Sequence, residues 1–183
     1  IMYGKPSPET ITSDEYLSLL RTIRNDKSIK AVVLRVNSPG GSGNASDEIL
    51  FELQQLKLKK PLVVSFGDYA ASGGYYIAAA ADQIFVNKAS IVGSIGVRMD
   101  GFGLEELIKN IGVERRLMTA GKNKGMLDPF LPIVPEQEEF VQNLLNEIHD
   151  QFIAVVKKGR GDRLSTDESI FSGLFWDGNS AIK

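Results

Sequence analysis

The segment PLVVSFGDYAASGGYYIA, residues 61–78, decides the fold of this chain. Its first six residues, Pro61–Phe66, form an apolar run typical of a buried strand, and Gly67-Asp68 predicts a turn after it. The small-residue stretch from Tyr75 to Ala81 predicts a helix, which closes at Asp82. A strand followed by a turn and a helix indicates one unit of an α/β fold.

Ser72 lies at the switch from strand to helix in this segment. A serine there is presented on a sharp turn, beside helix N-terminal N–H groups that have no partner within the helix. Such donors can stabilise an oxyanion, so Ser72 is a candidate nucleophile and the N–H of Gly73 a candidate donor. The alternative is that Ser72 simply caps the helix, because serine is also a favoured N-cap residue.

Strand and helix patterns alternate along the rest of the chain. Further strands are predicted over residues 31–36, 83–87, 91–97 and 113–119, and further helices over 44–57, 104–110 and 136–158. Capping boxes at Thr12–Glu15 and Ser165–Glu168 predict two more helical starts, and the breaker-rich segment 120–135 predicts a long loop. The alternation favours an α/β fold with largely parallel strands, and we predict a single domain over residues 1–183.

The composition of the chain excludes several kinds of protein. With 183 residues, 43% hydrophobic and 24% charged, it has the make-up of a soluble globular domain, and a net charge of −2 gives no reason to expect nucleic acid as a partner. The sequence has no cysteine, which excludes disulfides and thiolate chemistry. No cofactor or metal is expected, because neither a P-loop nor metal-ligand spacing occurs. Since the chain starts at Ile1 and stops at Lys183 in a helical-looking stretch, we expect a fragment of a longer protein that lacks its N-terminal anchor.

A nucleophilic serine needs a base, which histidine supplies most often. The one histidine of the sequence, His149, lies beside the apolar face of the long predicted helix, where nothing marks it as a base. A lysine can act instead if burial keeps it neutral. Residues 120–127 offer Lys122 and Lys124, and in an extended segment these two would point the same way, so spacing does not choose between them.

A second glycine-rich turn, Ser38-Pro39-Gly40-Gly41, also follows a predicted strand and precedes a predicted helix. Its backbone N–H groups could face an anion, either in an oxyanion hole or around a phosphate.

Four segments together resemble the signal peptide peptidase A (SppA) family of serine peptidases, whose fold is shared with ClpP proteases and crotonases. They are Asn37-Ser38-Pro39-Gly40-Gly41, Ala71-Ser72-Gly73-Gly74-Tyr75, Gly93-Ser94-Ile95-Gly96-Val97 and Gly121-Lys122-Asn123-Lys124. The resemblance implies that Ser72 is the nucleophile and that Lys124, which ends the family's G-x-x-K pattern, is the general base. It also implies that Ser94 orients Lys124, and that the N–H groups of Gly73 and Gly41 form the oxyanion hole.

The resemblance implies a serine endopeptidase with a Ser/Lys dyad that hydrolyses hydrophobic peptides such as remnant signal peptides. It also implies a homo-oligomer at the bacterial cytoplasmic membrane, with the catalytic domain on the extracytoplasmic side. One alternative is a crotonase-like enzyme acting on acyl-CoA, for which Asp68 and Asp82 are the nearest candidate acids. The other is a non-catalytic partner of a membrane protein that keeps the fold.

Overall fold

The computed structural model describes residues 1–5 and 10–182. The chain divides into two compact units, the first made of Ile1–Gly96 with His149–Lys183 and the second of Val97–Ile148. Each unit is described by itself. The single domain predicted over residues 1–183 stays a prediction.

The first unit contains a five-stranded sheet. Its strands are β1 (Val32–Ser38), β2 (Leu62–Ala71), β3 (Gln83–Phe85), β4 (Ile91–Gly93) and β5 (Phe175–Asp177). The order is β1-β2-β4-β5, and β3 pairs with the first half of β2, beside Val63–Ser65. All pairings are parallel except that of β4 with β5. The predicted α/β fold with largely parallel strands is confirmed.

Helices of the first unit pack against part of the sheet and bury apolar side chains of its central strand, β2. The helices of the chain are α1 (Ser13–Asn25), α2 (Gly43–Lys57), α3 (Gly73–Ala78), α4 (Glu105–Asn110) and α5 (Pro135–Arg160). Leu62, Val64 and Phe66 of β2 pack in one core with side chains from α1, α2 and α3. A smaller cluster joins Phe152 and Val156 of α5 to Ile95. Among the described residues, no helix combines the length and apolarity that crossing a membrane requires.

The predicted turn at Gly67-Asp68 is wrong, because β2 runs through it to Ala71. Val36 pairs with Phe66 but Ser38 pairs with Ala70, so three residues of β2 lie opposite the single residue Asn37 of β1. The Asn37 side chain fills this irregularity: its Oδ1 accepts a hydrogen bond from the Tyr69 N–H at 3.0 Å. On the other side, the buried Ser90 hydroxyl donates to the Gly67 carbonyl at 2.6 Å. The glycine-aspartate pair therefore forms a bulge within a strand.

Four other predictions differ from the structure. Residues 113–119 form no strand, and all seven are exposed. Thr12 caps α1 without a side-chain hydrogen bond, so the first capping box does not form. At the second, Asp167 rather than Ser165 caps a short 3-10 helix, Glu168–Phe171, by accepting from the Ser169 N–H. After residue 177, turns replace the helix that was expected. No sequence pattern predicted β5.

The second unit has no buried residue between 97 and 148. Among its internal contacts, the Asp128 carboxylate accepts from Arg115 at 2.8 Å and from the Phe130 N–H at 3.0 Å. The Arg115 guanidinium also lies 5.9 Å from the centre of the Phe130 ring. Polar and aromatic contacts of this kind, rather than an apolar core, hold the segment.

Candidate active site

Three turns of the first unit meet where β1, β2 and β4 end. Because these strands are parallel neighbours, their carboxyl ends lie at the same edge of the sheet, called the carboxyl edge below. Gly40-Gly41 follows β1, Ser72-Gly73 follows β2 and Ser94 follows β4. Ala71 pairs with Gly93, so Ser72 and Ser94 are the next residues of two adjacent strands. The fold thus brings together four of the five predicted site residues.

Ser72 has the strained backbone of a strand-to-helix elbow, with φ 51° and ψ −123°. A serine in this region of the Ramachandran plot costs about 1–3 kcal/mol, and surrounding contacts must hold it there. Its N–H donates to the Gly93 carbonyl at 2.9 Å, and its carbonyl accepts from the Tyr76 N–H at 2.9 Å. The Ser72 hydroxyl makes no capping hydrogen bond to α3. The side chain is therefore available for chemistry, and simple helix capping does not account for it.

The glycine turn after β1 lies directly against Ser72. A Cβ built on Gly40 would lie 2.7 Å from the Ser72 Cβ and 2.9 Å from the Gly73 nitrogen, a space that only glycine can leave open. A Cβ on Gly73 would lie 3.4 Å from the Gly41 nitrogen. The two turns are thus in van der Waals contact, with their backbone nitrogens beside the nucleophile.

Two backbone donors beside Ser72 are unpaired. The Gly40 N–H donates to the Ser38 hydroxyl at 3.1 Å, whereas the N–H groups of Gly41 and Gly73 have no acceptor within the part of the chain that the structure describes. Two unpaired N–H groups next to a free hydroxyl are the arrangement that an oxyanion hole requires. The pair Gly41 and Gly73 was predicted for this role.

Ser94 has the same φ as Ser72, 51°, and is also half-buried. Its N–H donates to the Leu174 carbonyl at 2.7 Å, just before β5. The next residue, Ile95, is buried, and its carbonyl lies 3.0 Å from His149 Nε2. Sequence reasoning missed both the support from Leu174 and that from His149, because each comes from a distant part of the chain.

The fifth predicted residue, Lys124, belongs to the second unit. Residues 122–127 form consecutive turns, with the Lys124 N–H donating to the Gly121 carbonyl at 3.1 Å. The extended segment assumed for Lys122 and Lys124 is therefore wrong, and alternation does not apply to them. Both side chains are exposed. The pairing of Lys124 with Ser72 stays a prediction.

Helix α3, which begins at Gly73, is fixed through two tyrosines. The Tyr76 hydroxyl donates to Asp47 Oδ1 of α2 at 2.7 Å, and burial together with this hydrogen bond raises the pKa of Tyr76. Burial also raises the pKa of Tyr75. Both phenols therefore stay neutral at working pH, which argues against either of them as the base.

Of the two acidic residues considered for a crotonase-like enzyme, Asp82 lies far from the carboxyl edge. Asp82 accepts a hydrogen bond from the N–H of Leu62, the first residue of β2, at 2.9 Å, whereas Ser72 follows the last residue of that strand. At about 3.3 Å per residue, the ten residues of β2 separate Asp82 from the carboxyl edge by roughly 30 Å. The Leu62 hydrogen bond also lowers the pKa of Asp82, with further help from Lys57. Asp68 is exposed within the bulge of β2, four residues before Ser72.

The chain is similar to known peptidases. The model of peptidase family S49 matches residues 54–183, and that of the Clp protease family matches residues 1–92. Protease 4 of Haemophilus influenzae is 35% identical over 184 residues, covering 100% of this chain and 30% of that protein. The chloroplastic serine protease SPPA of Arabidopsis thaliana is 32% identical, covering 93% of this chain and 25% of that protein. The family match and these names support a serine peptidase.

Other similarities say less about function. A Na(+)/H(+) antiporter NhaA of Brucella abortus is 48% identical over 158 residues, which cover 85% of this chain but only 22% of that protein. A solved enoyl-CoA hydratase/carnithine racemase from Magnetospirillum magneticum aligns over 91% of this chain and 79% of its own, with a TM-score of 0.41 and 14% identity, which is too distant to argue from. The chain spans less than a third of the length of the antiporter and of the two proteases.

Proposed function

Because the chain belongs to peptidase family S49, we propose that it is a serine endopeptidase with Ser72 as nucleophile and Lys124 as general base. The observation that carries the proposal is the elbow at Ser72, where a free hydroxyl lies beside two unpaired backbone donors. A lysine base is consistent with the rest of the site, because the one histidine is engaged with the Ile95 carbonyl.

In the proposed reaction, the Ser72 oxygen attacks the carbonyl carbon of the scissile peptide while the neutral Lys124 amine takes the hydroxyl proton. The carbonyl oxygen becomes an oxyanion that accepts hydrogen bonds from the Gly41 and Gly73 N–H groups. The carbon–nitrogen bond then breaks, and the Lys124 ammonium returns its proton to the leaving amine. Water, deprotonated by the same lysine, hydrolyses the acyl-enzyme ester and regenerates Ser72. Ser94 orients the Lys124 amine throughout.

The proposed substrates are hydrophobic peptides, such as remnants of signal peptides. Exposed apolar side chains of the second unit support this class, among them Phe102 and Met118, which are 79% and 94% exposed. The same exposure favours a homo-oligomer, because a soluble protein rarely leaves so many large apolar groups uncovered. We further propose a location at the bacterial cytoplasmic membrane, with the catalytic unit on the extracytoplasmic side, as the family resemblance implies.

The test is labelling by an alkyl fluorophosphonate probe together with hydrolysis of an apolar peptide. Ser72→Ala should abolish both, because the covalent step needs the hydroxyl. Ser18→Ala, at an exposed position of α1, is the matched control and should keep both. Labelling of Ser72→Ala at the wild-type rate would refute the nucleophile. Thioester turnover that survives Ser72→Ala would instead favour a crotonase-like enzyme. A folded wild-type protein without any labelling would favour the non-catalytic partner.

A further inference from the structure

His149 makes a directed contact with the candidate site, although nothing in the sequence marks it. It lies on α5, half-buried, with Nε2 3.0 Å from the Ile95 carbonyl oxygen. A carbonyl oxygen can only accept a hydrogen bond, so the ring nitrogen must donate. The neutral ring therefore carries its proton on Nε2, and the charged ring would make the same bond. The contact holds the carbonyl whether or not the ring is protonated.

Ile95 connects this bond to the carboxyl edge. It follows Ser94 directly, and its buried side chain packs in the same cluster as Phe152, one turn after His149 on α5. Helix α5 thus holds Ile95 in two ways, through its side chain and through its carbonyl.

The hydrogen bond also joins the place where the chain leaves the first unit to the place where it returns. The chain leaves the first unit after Gly96 and returns to it at His149. Ser94, with its strained φ of 51°, lies two residues before that exit. A strained backbone persists only where surrounding contacts fix it, and here these contacts include the Ser72 N–H on the Gly93 carbonyl, the Leu174 carbonyl and the His149 ring.

We propose that His149 is a positioning residue that sets the orientation of the Ser94 hydroxyl by holding the Ile95 carbonyl. The inference rests on the proposed function, in which Ser94 orients the catalytic lysine. Loss of the donor would free the peptide group after Ile95 and let the Ser94 backbone relax. A hydroxyl displaced by a fraction of an ångström would misplace the amine, which lowers kcat while substrate binding is retained.

The test compares two substitutions of equal length. His149→Gln keeps an amide donor at the position of Nε2, whereas His149→Met has the same reach and no donor. Gln151→Met, at an exposed position of the same helix, controls for the introduction of methionine. His149→Met should lower kcat about tenfold with KM within about twofold, while His149→Gln and Gln151→Met stay within about threefold of wild type. His149→Leu is a second donor-free variant, and hydrogen exchange of residues 91–96 reports directly on the turn in each folded variant.

A double-mutant cycle separates positioning from general packing. In a Ser94→Ala background, His149→Met should cost no more than about a further twofold, because the group that it positions is gone. The proposal is overturned if the full tenfold loss persists in that background, or if His149→Gln loses as much as His149→Met. Hydrolysis that survives Ser72→Ala would remove the proposed function whatever the His149 variants do. If hydrolysis depends on Ser72 but His149→Met matches wild type, the proposed function stands and the positioning role fails.

Discussion

The turn that carries Ser72 and the turn that carries Lys124 are built in opposite ways. Ser72 is held at a strained φ between paired strands, with glycine backbones in contact on one side and the buried start of α3 on the other. Lys124 lies in a run of exposed turns, in a unit without a buried residue. The Ser72 turn resists change because its backbone is hydrogen-bonded and Gly40 and Gly73 pack closely around it, whereas no residue around Lys124 is buried. A nucleophile and oxyanion hole must be preorganised, and the fold supplies that only around Ser72.

The largest effect is expected from a test of whether Lys124, on its exposed turn, takes part in catalysis. Lys124→Arg should lower kcat by about 10²–10⁴-fold, because a guanidinium stays protonated and cannot act as a base. Lys122→Arg is the matched control in the same turns and should keep most of the activity. The measurement is kcat for hydrolysis of an apolar peptide ester. An active Lys124→Arg enzyme would mean that the base lies elsewhere and that the second unit contributes no catalytic group.

A smaller effect is expected from crowding at the nucleophile. Gly40→Ala would place a Cβ 2.7 Å from the Ser72 Cβ at a φ of 112°. Gly4 has nearly the same φ, 116°, with nothing within 4 Å of a built Cβ. Both alanine variants pay the strain of a positive φ, about 1–2 kcal/mol. Only Gly40→Ala must also displace Ser72, so kcat should fall about tenfold or more in that variant alone.

For both alanine variants, at Gly40 and at Gly4, kcat and the midpoint of thermal unfolding are measured. Equal midpoints with unequal kcat would assign the loss to the displaced elbow. Equal kcat would show that the packing of Gly40 against Ser72 does not limit the reaction.

Local patterns were enough to predict the elbow. The apolar run before Ser72 and the small residues after it identify a strand and a helix without any knowledge of partners. Gly40-Gly41 could be identified in the same way, and parallel strands then bring the two turns to one edge. The four glycine- and serine-rich segments carried the family resemblance, which the S49 match confirms.

Several of the errors arise where a distant segment decides the local structure. Gly67-Asp68 has the composition of a turn, but the Asn37 side chain and the Ser90 hydroxyl hold it inside a strand. Residues 113–119 have strand-like composition but gain no pairing partner. β5 is only three residues long and exists because it pairs with β4, about eighty residues earlier. The contact of His149 with Ile95 could not be predicted for the same reason, because the two residues are far apart in the sequence and no local pattern relates them.

The smallest expected effect concerns what holds the second unit. Asp128 accepts from the Phe130 N–H and from Arg115, and these contacts lower the pKa of its carboxyl below the ordinary 3.8. A carboxyl with a lowered folded pKa stabilises the structure above its ordinary pKa, and this contribution is lost as the pH falls through the lower, folded value.

Asp128→Asn keeps an oxygen for the Phe130 N–H but removes the charge that Arg115 needs. At pH 7, hydrogen exchange of residues 113–131 should therefore be about two- to threefold faster in this variant, while residues 62–71 of β2 stay unchanged. Asp100→Asn, which loses only an exposed pair with Arg98 at 3.4 Å, is the control and should exchange like wild type.

After correction for intrinsic rates, the difference between Asp128→Asn and wild type should shrink as the pH falls below about 4, because the wild-type carboxyl then becomes neutral as well. A difference that is unchanged at low pH would mean that the charge of Asp128 does not hold these turns, and that the contrast between the two units has another cause.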